Sequence, residues 1–299
     1  MRAARREGIK VMFQGQGADE LFWSYGWMRQ ALQENMARDT RPGILDSLGT
    51  SLRARMHMPS ISSPRRFAQW VVQGGGFVDA LEQYERIRRG PEAPGVFWDV
   101  ARPLRRIAKE VARIAGPALA PQAGLEGVLA SFPRRESGES WRRWLVRAIL
   151  GTYLLENGIS QADRYSMAAG VEARLPFVDH VLVEHAVGLN DGRPDAVTPG
   201  KTWLRAAVAD HIPSWVLSRP KRGFSPPTRD WVASLVRERG PSLATGELVT
   251  MGLLSRAGVQ LLARPSGPFD RGLRDQIAYQ TLVLEQWFKS MQARQQQPR

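Results

Sequence analysis

The spacing of apolar positions changes several times along this chain, and each change predicts a new element. Residues 2–10 are polar and basic and read as the end of a helix begun upstream. The run Ile9-Lys10-Val11-Met12-Phe13 predicts a short buried strand that runs into Gly15 and Gly17. From Asp19 to about Arg38 the step lengthens to three and four residues, through Leu21, Phe22, Tyr25, Met28 and Leu32, which predicts a helix. Strand, glycine turn and helix in this order make an α/β unit. A lone strand cannot bury itself, so its early parallel neighbours are expected to be missing from this stretch.

The pattern is weaker over 41–137, which reads as a helical insert with helices at 77–89 and 100–114. Glycine and proline breaks, Gly74-Gly75-Gly76 and Gly90-Pro91, separate them. The basic pairs at 65–66, 105–106 and 134–135 predict solvated faces. Periodicity returns in a helical core over 138–292, where Trp141, Trp144, Leu145, Ile149 and Tyr153 share one face. Further helices are predicted from Asp179 through His185, over 201–211 and over 276–291, with a disordered tail at 293–299. The expected chain is mostly helical, with one clear strand and no internal repeat.

Composition narrows the class. The 299 residues are 43% hydrophobic and 24% charged, the profile of an ordinary globular protein. The net charge of +13 is almost all arginine, since Lys10, Lys109, Lys201, Lys221 and Lys289 are the only lysines. Such a balance suits an anionic partner: nucleotide, nucleic acid or membrane surface. The absence of cysteine excludes disulfides, thiolate catalysis and cysteine-based metal sites. No run of about 18 apolar residues predicts a membrane span, and the N-terminus lacks a signal-peptide core, so a cytoplasmic protein is expected.

Three segments carry candidate chemistry. In Gln14-Gly15-Gln16-Gly17-Ala18-Asp19-Glu20 two glycines let a ligand approach the backbone at a helix start, where negative charge is favoured. Asp19 and Glu20 there suit either a cap or a hard cation beside phosphates. In 163–179 the charges of Asp163, Arg164, Glu172, Arg174 and Asp179 are interleaved with apolar residues. They predict either a ligand site or a structural pair of Arg174 with Glu172 or Asp163. The third, Arg219-Pro220-Lys221-Arg222-Gly223-Phe224, is a basic loop suited to phosphate.

Taken together, these segments resemble the synthetase domain of the asparagine synthetase family. Residues 13–25 are similar to its Ser-Gly-Glu/Gln-Gly-Ser/Ala-Asp-Glu-Leu-Phe-x-Gly-Tyr stretch. Residues 163–179 resemble Asp-Arg-x-Ser-Met…Glu-x-Arg-x-Pro-Phe-x-Asp, and 201–224 resemble Lys…Leu-Arg…Pro…Lys-x-Gly-Phe. The resemblance implies the C-terminal, mostly helical part of an α/β, adenine-nucleotide alpha-hydrolase-like (ATP pyrophosphatase) domain. It also implies ATP and Mg²⁺ as cofactors, and amidation of a carboxylate such as aspartate through an acyl-adenylate, with ammonia from glutamine. By the same resemblance Gln14, Gly15 and Gly17 bind ATP, and Asp19 binds Mg²⁺. Gln16 and Lys221 act in catalysis, while Arg164, Glu172 and Arg174 form the site.

Departures from the family pattern qualify this. Gln14 and Ser24 stand where the family has Ser and Gly, and Gln16, an amide, cannot serve as a base. The family's Ser-Gly-Gly-x-Asp-Ser pyrophosphate loop and nucleophilic Cys are not in this sequence. The expectation is therefore a truncated ligase, inactive alone, completed in cis or trans by a glutaminase and pyrophosphate-loop segment. Two alternatives are an arginine-rich nucleic-acid-binding protein and a non-catalytic subunit of a split amidotransferase. The dispersed arginines match no recognised nucleic-acid reader, which argues against the first.

Overall fold

The computed structural model describes residues 1–40, 77–89, 93–193, 201–219, 227–263 and 273–295. In chain order the described elements begin with α1 (Arg2–Arg6), β1 (Val11–Phe13), α2 (Ala18–Leu21), α3 (Gly26–Thr40), α4 (Phe77–Arg88), α5 (Leu104–Ile114) and α6 (Leu125–Ala130). Next come α7 (Trp141–Ile149), a π-helix at Leu150–Ile159, α8 (Ser160–Met167), β2 (Glu172–Arg174) and α9 (His180–Gly192). The last are α10 (Thr202–Ala207), α11 (Ser214–Ser218), α12 (Thr228–Arg239), α13 (Glu247–Thr250), α14 (Arg256–Leu262) and α15 (Leu273–Gln295). The chain is mostly helical, as its periodicity predicts.

Five expectations need correction. The run Ile9–Phe13, predicted as a buried strand, forms β1 with Val11 and Phe13 exposed, because a sheet of two strands leaves that face uncovered among the described residues. A second strand, β2, pairs with β1 in parallel, Val11 opposite Glu172 and Phe13 opposite Arg174. The helix predicted from Asp19 to Arg38 is interrupted at 22–25, where buried Trp23 takes a left-handed φ of 53°. The expected insert does not stay together: 93–101 belongs to one compact unit and 102–131 to another. Residues 293–295 are helical, where a tail was expected, because α15 runs on to Gln295.

The first unit comprises Met1–Ala101 and Phe132–Lys221. Its core is aromatic: Phe97 sits edge-on to Trp27, Phe132 and Trp144, and Trp144 edge-on to Trp141. The buried face of α3 is partly polar for a specific reason. Asn35 accepts from the Val96 amide at 2.7 Å and donates to the Val96 carbonyl at 2.8 Å. Arg38 donates to the Ala93 and Pro94 carbonyls. These side chains supply partners to a buried non-helical segment whose backbone would otherwise go unsatisfied. Burial, and then the charge of Arg89, draw the Arg38 guanidinium down to about 10.

The second unit comprises Arg102–Ser131 and Arg222–Arg299. Ile114, Val236, Leu243, Leu248, Val259, Leu262 and Ile277 form its core. The carboxylate of Glu285 on α15 accepts from the Glu247 amide at 2.7 Å and the Leu248 amide at 3.0 Å, and so caps α13. Burial raises the Glu285 carboxyl, but the two amides and then Lys289 outweigh it, and the net shift is downward. A depressed carboxylate contributes stability above its unfolded value of about 4.3, lost as pH falls through the lower folded value. Glu285→Gln is therefore expected to cost about 1–3 kcal/mol at pH 7. Urea titrations at pH 7 and pH 3 should show the gap between variant and parent narrowing in acid.

Candidate nucleotide site

Both parallel strands end on the same side, and the turn after β1 lies there, at the carboxyl ends where open parallel sheets commonly receive ligands. β1 passes into the turn 14–17, where the Gln14 amide donates to the Arg174 carbonyl at 2.9 Å. β2 passes into a 3₁₀ turn at Pro176–Val178. Asp179, beyond it, caps α9 through the Val181 and Leu182 amides.

The two glycines of the turn have different causes. Gly17 has φ of 97°, and a Cβ there would lie 2.9 Å from the Phe177 carbonyl oxygen. The fold itself requires that glycine. A Cβ at Gly15 would meet no protein atom within 4 Å, so packing does not demand glycine there.

The side chains following the turn divide by burial. Glu20 is buried and accepts the Tyr25 hydroxyl at 2.9 Å. Burial, and then Glu20, push the Tyr25 phenol well above its ordinary value, so it remains a donor. Asp19 is half-buried and lies 3.0 Å from the Lys201 ammonium. Lys201, itself at φ of 58°, precedes α10. Gln16 extends toward the π-helix, where its Oε1 is buried without a hydrogen-bond partner and faces Gly158. A π-helical stretch is a frequent marker of functional sites.

The structure brings Gln14, Gly15, Gln16 and Gly17 into one turn, with Asp19 in the first turn of α2 just after it and Arg174 beside it. Glu172 and Arg174 form an ion pair at 3.0 Å, both well exposed, so the structural pairing predicted for Arg174 exists and Glu172 is its partner. Arg164 stands exposed on α8 and makes no hydrogen bond or ion pair with the turn. Lys221 lies outside the described residues. The role of Lys201 was not foreseen, since its partner is far away in sequence. The left-over signal was its place in the Lys…Leu-Arg stretch.

As to the implied cofactors, among the described residues no three His, Asp or Glu side chains converge to hold a metal ion. Mg²⁺ commonly uses one or two carboxylates together with substrate phosphates, and Asp19 fits that lesser demand. A cation at Asp19 has to share the carboxylate with Lys201 or displace it. Among the described residues nothing within 4 Å of a Cβ at Gly15 would obstruct a ligand approaching that backbone.

A family model, asparagine synthase, matches residues 1–289. The chain belongs to the asparagine synthase family. Among relatives, a putative glutamine-hydrolyzing asparagine synthetase of Mycobacterium tuberculosis (strain H37Rv) is 29% identical over 227 residues, 76% of this chain and 31% of its own length. The same figures hold for a protein of that name in Mycobacterium bovis. The glutamine-hydrolyzing asparagine synthetase 1 of Bacillus subtilis (strain 168) is 32% identical over 87 residues, 29% of this chain and 14% of its own length. This member of the asparagine synthase family thus spans about a third of the length of the mycobacterial relatives it matches. No solved structure matches it. Among the described residues no helix is long and apolar enough to cross a membrane.

Proposed function

We propose that this chain supplies the nucleotide-handling part of an ATP-dependent ligase that amidates a carboxylate, aspartate being the leading substrate. Family membership supports ATP-dependent asparagine synthesis in general. The observation that carries the local reading is Gly15, a glycine that no protein contact requires, at the carboxyl end of a parallel strand.

In this reading the turn 14–17 receives the phosphates of ATP, and Asp19 would hold Mg²⁺, which would offset their negative charge. Lys221 offsets the charge that develops as the substrate carboxylate displaces pyrophosphate to form β-aspartyl-AMP. Gln16 accepts a hydrogen bond from a ligand donor but takes no proton. A buried acceptor without a partner costs about 1–3 kcal/mol, which supports a ligand completing Gln16 Oε1. Arg164, Glu172 and Arg174 shape the adjoining wall. Ammonia from glutamine then displaces AMP, with the glutaminase and pyrophosphate-loop functions supplied by another segment, in cis or trans. Val11, Phe13, Glu172 and Arg174 share one exposed face of the two-stranded sheet, a surface suited to receive it.

Two glycine variants test the nucleotide site. Gly15→Val should leave the melting temperature within about 1–2 °C of the parent, since nothing lies within 4 Å of the new Cβ. The same variant should weaken MgATP binding at least tenfold. Gly17→Ala should lower the melting temperature by several degrees, because a Cβ forced to 2.9 Å from a carbonyl at positive φ costs about 1–3 kcal/mol. Calorimetric titration with MgATP and thermal melts measure both. Undiminished binding by Gly15→Val would remove the turn from the nucleotide site.

A further inference from the structure

In the second unit, α5 and the first turn of α15 enclose a groove lined by Arg106, Lys109, Glu110, Leu273 and Arg274. Arg106 and Lys109 lie three residues apart on α5 and therefore share a face. Leu273 is buried among the lining residues. Among its described lining residues the one carboxylate, Glu110, is engaged by Arg113 at 3.2 Å. Arg106, Lys109 and Arg274 form no ion pair or hydrogen bond with the described residues.

Arg274 is also misplaced by local rules. It sits in the opening turn of a 23-residue helix, where the backbone dipole is positive and a cation is disfavoured. The acid of that turn, Asp275, does not line the groove. Among the described residues these three cations have no counter-ion, and they repel one another across a single concavity, one of them on the wrong end of a helix. Local violations of this kind are expected where a ligand completes the electrostatics.

We propose that this groove binds a phosphate chain carrying at least two negative charges. Two guanidinium groups match phosphate oxygens in pairs, and Lys109 adds a compact mobile charge. A monoanion would leave most of the positive charge uncompensated. None of the residues of the turn 14–17 takes part, so the proposal stands independently of the nucleotide site.

The test is calorimetric titration of the full chain with inorganic tripolyphosphate in EDTA, at fixed moderate salt. Arg106→Gln, Lys109→Gln and Arg274→Gln are each expected to weaken binding at least tenfold without changing the melting temperature. Arg237→Gln, an exposed cation on α12 outside the groove, should change affinity less than twofold. Gly15→Val should retain tripolyphosphate binding, which separates this groove from the nucleotide site. Equal affinity for magnesium-free ATP and tripolyphosphate would support recognition of the phosphate chain itself. Binding insensitive to all three groove substitutions would overturn the proposal. So would a 12-nucleotide single-stranded RNA that binds more tightly than tripolyphosphate and depends on the same three residues, because the groove would then serve a nucleic acid.

Discussion

Lys221→Ala is expected to slow pyrophosphate release about 100- to 1000-fold in the assembled ligase, with the melting temperature unchanged. The magnitude is that of losing one preorganised charge contact where charge develops in a closed site. The expectation rests on the Lys-x-Gly-Phe resemblance and on the proposed activity. Arg222→Ala, the neighbouring cation, serves as internal control and should fall less than about threefold. Lys221→Arg should recover only part of the rate, because a planar guanidinium fills different space from an ammonium. If the loop is merely structural, both alanine variants lose stability and activity together. Equal small effects at Lys221 and Arg222, with unchanged melting, would take Lys221 off the catalytic list.

The largest effect on stability is expected at Glu34. Its carboxylate is 1% exposed and accepts from Arg86 at 2.6 and 3.0 Å. Burial alone lowers the Arg86 guanidinium, but the hydrogen bonds and charge of Glu34 reverse this and the net shift is upward. Glu34→Ala leaves that cation buried without its partner, at a cost of about 3–5 kcal/mol. A paired change to apolar residues, Glu34→Leu with Arg86→Met, should recover much of the loss, since breaking a buried pair costs more than replacing both members. Urea unfolding of the single and double variants measures this. A loss below about 1 kcal/mol for Glu34→Ala would show the pair to be dispensable.

How far the fold could be read in advance depended on where each element draws its stability. β1 was legible because four of the five residues from Ile9 to Phe13 are apolar. β2 was not, because Glu172-Ala173-Arg174 carries no strand pattern and is extended only through pairing with β1. The cap Asp179 was visible, since a side chain bonding amides two and three residues on is a local matter. The break at 22–25 was hidden by apolar residues that keep helical spacing straight through it. Fully buried Trp23 shows tertiary packing overriding that spacing. At the site, the glycine turn was legible from composition and order. The Asp19–Lys201 contact was not, because it joins positions far apart in the chain.

The interleaving of the two units has a consequence for synthesis. Val11 pairs with Glu172, and the core of the second unit joins Ile114 to Ile277, so neither can close until well over a hundred further residues have been made. At about 5–20 residues per second, β1 waits roughly ten to thirty seconds for its partner strand. During that interval the apolar run around β1 is available to any other nascent strand. Folding of this chain should therefore depend on holding chaperones early in translation. Slowing the ribosome before residue 172 should lower the soluble yield, while slowing it afterwards should not.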